Sequence, residues 1–599
     1  MSNNNSKPDQ HSLNNLLSFF QKKDYVNAEN LALSITQKYP THKYAWKILA
    51  AILEQTNRIS EALKANQNAL IIDPYDPEIY LCLGNNYHRQ EKLDEAELNF
   101  KKAINLKPNY FQALYNLGLI LNKKQRFDDA KSLFKKVIKL KPDFANGYFS
   151  LGLVQLNLSD LDTAIENLKK ATDLKPEYPQ AFFNLGVAMR KAGKRIEALE
   201  YFQQSINLKK DYIRAYNLIG ATHKELGQYD KALKNFKVAI NLDPNYAEAF
   251  NNLGNTLKEL GKFEDSNFYF RKAIDLKPDY ADAYDNLGRA LMLNLEFQQA
   301  FELMEWRLRR EEKNFIPLNT SKPRWNGGTT NKVFLWKEQG IGEHIMFSSM
   351  IPELHASVKK VIVECDPRLM PLFQRSFSHE IKFINDRKEI SEDDYDSHLP
   401  IGSLPFHFRK ELIDFKKSSQ GWLQADPVKI QYIKEKILQN NFKKIIGLSW
   451  NTKSSLSRAF QRNIKLADLL LPLKNLDLTF INLQYGDVSK EISDLKDNHG
   501  IEVLEMPDLD IFNDIDGLAA IIAACDLVIS IDNFNAHLAG PLGKNTKLLL
   551  PYAADERWGY NTNKSYWYDN ISIYRQIEPG NWNDPIMKVA NNLKNLIGK

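Results

Sequence analysis

Three stretches of this chain set glycines, carboxylates, amides and basic residues at points where a strand gives way to a helix. VFLW (333–336) runs into KEQGIGEHIMFSSMIPEL, KIIGLSW (444–450) into NTKSSLSRAFQRNI, and DLVISID (526–532) into NFNAHLAGPLG. The first four N–H groups of a helix lack intrahelical partners, and the helix start carries partial positive charge. Such loops are therefore suited to hold phosphate. Taken singly, each is also compatible with ordinary strand–helix packing, and GIG is not GxGxxG. Three with intact flanks in one chain point to a phosphate-bearing ligand.

The elements that must position these loops are strands alternating with helices. Short β-branched runs predict strands at 332–336, 360–365, 444–450, 478–484, 501–505, 526–532, 546–551 and 571–575. Helical spacing predicts helices at 341–357, 428–440, 465–475, 513–525, 535–543 and 584–597. This alternation implies parallel sheets covered on both faces, with crevices beyond the carboxyl ends of the strands. The loop-rich stretch 386–427 separates two lobes.

Ahead of them lies one unit repeated. Pro40, Pro74, Pro108, Pro142, Pro176, Pro244 and Pro278 are spaced by 34 residues or twice 34, with Lys210 in the gap. Gly84, Gly118, Gly152, Gly186, Gly220, Gly254 and Gly288 keep the same period, as does a row of alanines from Ala28 to Ala300 that is interrupted at Ser266. Four residues after the alanine comes a large apolar side chain, such as Phe100, Phe134 or Phe202. Each unit reads as helix–turn–helix. Glycine inside a helix costs about 1 kcal/mol against alanine, so seven in register imply close approach of a neighbouring helix backbone. The pattern resembles the tetratricopeptide repeat over residues 9–312. The resemblance implies a superhelix whose first helices line a concave face. Two residues before each glycine, that face carries Asn116, Asn184, Asn252 and Asn286, interrupted by Cys82, Ser150 and Leu218. The amides either clamp an extended peptide backbone or are tolerated surface residues.

Composition narrows the partners. With 80 Lys plus Arg against 74 Asp plus Glu in 599 residues, a net charge of +6 is too dilute for a dedicated nucleic-acid binder. A mean hydropathy of −0.46 fits soluble globular protein. Cys82, Cys365 and Cys525 have no metal-ligand spacing and read as buried hydrophobes in a reducing compartment. MSNNNSKPDQHSLNN lacks the basic and apolar regions of a signal peptide, and Leu518–Ser530 is too short to span a bilayer. The expected location is the cytoplasm, without integral membrane association.

WKEQGIGEHIMF, VIVECDPRLMPLF, IGSLPFHF, GLSW, LQYGD, DGLAAIIAACDLVISIDNFNAHLAGPLG and LLLP followed by RW resemble bacterial tetratricopeptide proteins whose carboxy-terminal domain is related to ADP-heptose:lipopolysaccharide heptosyltransferases. The resemblance covers nearly all of 320–599. It implies an α + α/β chain: an α-solenoid over 9–312, a junction at 313–330, and a GT-B-like pair of Rossmann-type lobes. The first lobe would span 331–427 and the second 428–599, with the final helix returning to the first lobe. It also implies a glycosyltransferase using a nucleotide-sugar donor, with no cofactor or catalytic metal, and an acceptor recruited as a protein or glycan by the repeats. The relatives' first loop reads GxGD, its aspartate taken as general base. Here Gly340 and Gly342 are followed by Glu343, one methylene longer, with His344 as a rival base. The helix start after SxD would bind pyrophosphate through main-chain N–H groups of Asn533, Phe534, Asn535, Ala536 and His537. Small or hydroxyl residues are common in the relatives where Phe534 and Asn535 stand. Asp532 and His537 match the family pattern, and Arg462 matches a phosphate-neutralising base. Asp516 either bonds ribose hydroxyls or is a solvated helix-start charge. DDYD (393–396) contains the DxD of a metal-dependent transferase architecture, but in an acidic loop rather than at a strand end. The alternative function is a peptide-binding scaffold with a degenerate transferase domain.

Overall fold

The computed structural model describes residues 7–310, 315–338, 340–415, 421–438, 444–452, 459–506, 508–560 and 562–597. Residues 1–6, Gln339 of the first loop, 453–458 of the second, 313–314 of the junction and 439–440 of one expected helix lie outside them. The described chain divides into two compact units, Met1–Thr222 and His223–Lys599.

In the first unit, helices pair as the 34-residue period predicts, for example Phe111–Lys123 with Phe127–Leu140 and Pro179–Lys191 with Arg195–Leu208. The helical glycines make room for a large side chain of the paired helix, where the expectation was a close-lying helix backbone; backbone is nearest only at Gly288, facing the Ala300 carbonyl. A Cβ on Gly118 would lie 2.6 Å from Phe134 Cε1, and one on Gly186 would lie 2.6 Å from Phe202. The turn inside each pair has its own period. Lys23, Asn57, Glu91, Gln125, Ser159 and Gly193 all take positive φ, as do Gly227, Gly261 and Leu295 in the second unit.

The second unit continues with the pairs Ala247–Glu259/Phe263–Leu276 and Ala281–Leu293/Phe297–Met304, then two parallel sheets. Strands β1 (Lys332–Trp336), β2 (Lys360–Glu364), β3 (Lys382–Ile384) and β4 (Ser397–Pro400) form one in the order β3-β2-β1-β4. Strands β5 (Lys444–Ser449), β6 (Leu478–Asn482), β7 (Val503–Leu504), β8 (Leu527–Ile531), β9 (Thr546–Leu550) and β10 (Ile571–Arg575) form the other in the order β10-β9-β8-β5-β6-β7. Residues Val333–Trp336 and Leu527–Ile531 are buried without alternation, as strands covered on both faces should be.

Chain order reverses beside β1 in the first sheet and between β5 and β8 in the second, so the crevices open beyond those strand ends. The three loops singled out above follow β1, β5 and β8. One apolar core joins repeat residues Phe270, Leu287, Leu291, Phe297 and Phe301 to Val333, Ile345 and Leu399 of the first sheet region and Leu548 of the second. Two ion pairs, the first of them buried, reinforce it. Arg307, just past the last helix pair, bonds Glu338 beyond β1, and Arg289 bonds Glu556.

Several elements differ from expectation. The helix expected at 341–357 is two, Ile341–Ser348 and Ile351–Ser357, because Pro352 has no N–H to donate and its ring crowds the carbonyl of Ser348. β3, β4 and the helix Ser489–His499 were not foreseen. β4 lies inside the stretch read as loop. The final helix, Asn583–Ile597, packs through Ile586, Val589, Ala590 and Leu593 on the face of the six-stranded sheet formed by Ile446, Leu448 and Ile529, where the expectation had it returning to the first lobe. No helix among the described residues is long and apolar enough to cross a membrane.

Candidate functional site

A cavity of about 420 Å³ opens within the second unit where these strand ends meet. Gly342 and Glu343 come from the first sheet's loop; Arg462, Asp532, Asn533, Phe534 and His537 come from the second sheet's loops. Lys258, Glu259, Gly261 and Phe263 of a repeat complete the wall.

Two glycines keep the first loop close to its neighbours. Gly340 caps the Ile341–Ser348 helix, and a Cβ there would come within 2.8 Å of Glu343 Oε2. A Cβ on Gly342 would meet the His537 ring at 3.3 Å. Glu343 Oε1 accepts from Arg557 at 2.9 Å. Burial would raise this carboxyl's pKa, but the Arg557 guanidinium outweighs it and holds the group below the usual carboxylate range.

Arg557 is the hub of the site. Its Nε donates to Asp555 Oδ1 at 2.6 Å, and one terminal nitrogen bridges Asp555 Oδ2 (3.0 Å) and Glu343. The other terminal nitrogen lies 3.5 Å from His537 Nε2. A guanidinium cannot accept, so Nε2 is the acceptor and His537 Nδ1–H donates to Tyr568 Oη at 3.0 Å. Burial, helped by Arg557, pulls the His537 pKa down to about 3, so its ring is neutral; it stacks on Trp558 at 4.9 Å. Trp558 Nε1 donates to Asp532 Oδ1 at 2.8 Å. Burial and the neighbouring Asp555 raise the Asp532 pKa. Arg462 donates to the Asp532 carbonyl at 3.0 Å and to Oδ2 at 3.3 Å.

The asparagines of the third loop bind protein groups. Asn533 caps the six-residue helix Phe534–Ala539: its Oδ1 accepts from Asn535 N at 3.0 Å, and its Nδ2 donates to Ser449 Oγ at 2.7 Å. Asn535 Nδ2 donates to Ser449 Oγ and to the Leu483 carbonyl, both at 2.8 Å. Together they lock the ends of β5, β6 and β8. In the second loop, Gln484 Oε1 takes the N–H groups of Trp450 (3.2 Å) and Asn451 (2.9 Å). Side-chain amides thus occupy several of the donors expected to face a ligand. Ala536 is fully buried in this helix.

Two expected residues lie elsewhere. Asp516 is buried and bonds Arg375, with Lys429 Nζ at 3.1 Å, and it does not line the cavity. His344 is buried against Phe373, its pKa pushed down to about 4 by burial, and likewise does not line it. Asp394 of the DDYD segment accepts from Ser391 N at 2.8 Å. Of the repeat amides in the first unit, Asn116 donates to Asn85 Oδ1 at 2.7 Å and Asn184 to the Gln180 carbonyl at 2.8 Å. In the second unit, Asn286 donates to Asn251 Oδ1 at 3.0 Å, and the half-buried Asn252 accepts through its carbonyl from Thr256 at 2.9 Å. Sequence reading missed Asp555, Arg557 and Tyr568. The signal available was the RW pair after LLLP, one residue of which is the hub.

Comparison with known proteins identifies the repeats. Models described as TPR repeat match residues 84–125, 157–193 and 222–261. Models described as tetratricopeptide repeat match 111–144, 133–166 and 247–280. Protein FlbA of Caulobacter vibrioides is 27% identical over 311 residues, 48% of this chain and 51% of that protein. Protein O-mannosyl-transferase TMTC1 of Mus musculus is 30% identical over 95 residues, 15% of this chain and 10% of that protein, within the repeats alone. The chain thus spans about half the length of the first relative and a tenth of the second. Among solved structures, MamA is 28% identical with a TM-score of 0.27, covering 28% of this chain and 97% of that one. YrrB, titled a TPR protein with an unusual peptide-binding site, is 27% identical with a TM-score of 0.27, covering 31% and 95%. The amino-terminal part of this chain is built of tetratricopeptide repeats homologous to those of other TPR proteins.

Proposed function

We propose that the two sheets form a GT-B-like glycosyltransferase domain acting on a nucleotide-sugar, with the repeats recruiting a protein or glycan acceptor. The observation that carries this reading is the convergence of Glu343, Arg462, Asp532 and His537, from loops of two parallel sheets, on one cavity. In the displacement, the acceptor hydroxyl gives its proton to Glu343 as its oxygen bonds the anomeric carbon. The bond from that carbon to the diphosphate breaks, and the electron pair leaves on the diphosphate, whose charge Arg462 meets. Glu343 Oε2, the oxygen turned toward Gly340, is the one suited to take the proton, since Oε1 holds Arg557. The test is incubation of the full chain with a panel of nucleotide-sugars, reading nucleotide release. Glu343→Gln should cut turnover by ~10²–10⁴ while the donor still binds. Failure of every donor to bind sinks the reading.

A scaffold function is the second reading. It is favoured by Glu343–Arg557 and Asp532–Arg462, charges that satisfy one another within the protein. It expects Glu343→Gln to leave the biological phenotype intact, with Asn184→Ala and Asn252→Ala abolishing partner binding.

A further inference from the structure

Arg289 follows the repeat glycine Gly288. The same place in the six preceding repeats holds Asn85, Leu119, Leu153, Val187, Ala221 and Asn255, none of them charged. Asp285, one turn earlier, stands where those repeats carry uncharged residues such as Tyr115, Phe149 and Asn251. The repeat fold is built without either charge, so the pair answers to what lies beside the last repeat.

What lies there is the turn that carries Arg557. Asp285 is fully buried, and its Oδ2 accepts from Arg289 Nε at 2.9 Å and from an Arg310 terminal nitrogen at 2.6 Å. Held in this way, Arg289 reaches Glu556 with a terminal nitrogen. Glu556 opens the short helical turn Glu556–Trp558, which Asp555 caps. A second tie from the same repeat ends on the same residue. Phe297 packs edge-on against Tyr566 at 5.2 Å, and Tyr566 Oη donates to the Glu556 carbonyl at 3.0 Å. The next two residues of the turn bond the carboxylates of the site: Arg557 bonds Glu343, and Trp558 bonds Asp532. Such bonds hold over about 2.7–3.2 Å, so a shift of about 1 Å in the turn disturbs both.

We propose that Arg289 is a positioning residue of the site: anchored on Asp285, it holds the Glu556–Trp558 turn so that Arg557 meets Glu343 and Trp558 meets Asp532. Its consequence for turnover rests on the transferase reading; the placement of Arg557 does not.

The test is a double-mutant cycle between Glu343→Gln and Arg557→Gln, read by urea unfolding of the full chain, in wild type and again in Arg289→Met. In wild type the two changes should couple. In Arg289→Met that coupling should fall by about half or more, and it should return in Arg289→Lys, which keeps a cation between Asp285 and Glu556. A less stable Arg289→Met with undiminished coupling would overturn the inference, since Arg289 would then add only an ion pair. So would a wild type in which Glu343 and Arg557 do not couple. Should Arg289→Met fail to fold, Glu556→Ala cuts the same tie from its other end and decides in the same way.

Turnover gives a second readout. Glu343 faces Arg557 and the neutral His537, and Arg557 in turn faces Asp555 and Asp532. Released from Arg557, the Glu343 carboxyl is left to its burial, which raises its pKa. The acid limb of the kcat profile should therefore move up by about one pH unit or more in Arg289→Met and back in Arg289→Lys. A limb that stays in place would overturn the inference. A wild type that turns over no donor, with the coupling lost in Arg289→Met, would instead sink the transferase reading and leave the positioning standing.

Discussion

At the scale of single residues, Arg557 carries the most interactions in the site. It faces Glu343, Asp555 and His537 at once, so removing it leaves two half-buried carboxylates short of their cation. Arg557→Gln is expected to cost about 1–3 kcal/mol near neutral pH, measured by urea unfolding. The loss should narrow as pH falls into the carboxyl range, because protonation then relieves the unpaired charge. The buried histidines set a second pH dependence. His537 and His344 titrate near 3 and 4 when folded, against about 6.5 when unfolded. Between those values the unfolded chain binds more protons, so stability rises with pH through the window and levels off above it. Acidification from pH 6.5 to 4 should therefore destabilise the protein. His344→Gln should flatten that slope by up to about 1.4 kcal/mol per pH unit. The depressed carboxyls Glu343 and Asp555 act lower: their contribution is present above the unfolded carboxyl pKa and is lost as pH falls through the folded one.

Among the elements, the glycines and the left-handed turns make opposite predictions. Gly118→Ala should gain helix propensity yet lose stability by about 1–3 kcal/mol, because the new methyl meets Phe134. Pairing it with Phe134→Ala should cost less than the sum of the two single changes, as chemical denaturation can show. Glu91 holds φ at 60° without being glycine. Glu91→Gly should therefore raise the unfolding midpoint, relieving about 1–2 kcal/mol of backbone strain. All six strands of the second sheet and two of the four in the first were legible from short apolar runs, and the loops after β1, β5 and β8 proved to sit where strand order reverses. β4, SHLP, was not legible: its four residues include a histidine and a proline, and its burial depends on pairing with β1. The helix Ser489–His499 offers only Ile492 and Leu495 as buried apolar residues, a weak periodic signal, though Gly500 at φ 62° marks its end. The pairing of Glu343 with Arg557 spans 214 positions, and no local pattern reports a contact of that separation.

For the molecule as a whole, the repeats do not form a unit apart from the sheets. The compact units divide at Thr222/His223, and the last repeats share a core with both sheets. Sequence could not show this, since Phe270 and Leu287 occupy the same repeat positions as residues that meet only other repeats. Hydrogen exchange should find the Ala281–Leu293 helix as protected as β1. Arg289→Met, which frees Glu556, should lower protection in the Glu556–Trp558 turn. Gly261 lies where repeat and sheet domain touch. Its φ is 72°, a Cβ would lie 2.8 Å from Tyr560 Oη, and Phe263 meets the Tyr560 ring edge-on at 4.6 Å. Because nine turns from Lys23 to Leu295 recur every 34 residues, repeat copy number is separable from that docking. Excising one whole unit upstream, such as 111–144, preserves the phase of every later helix and leaves the Gly261–Tyr560 seat intact. A deletion that is not a whole multiple of 34 residues shifts that phase. Evolution could therefore lengthen or shorten the array in whole units while the wall it lends to the cavity stays the same.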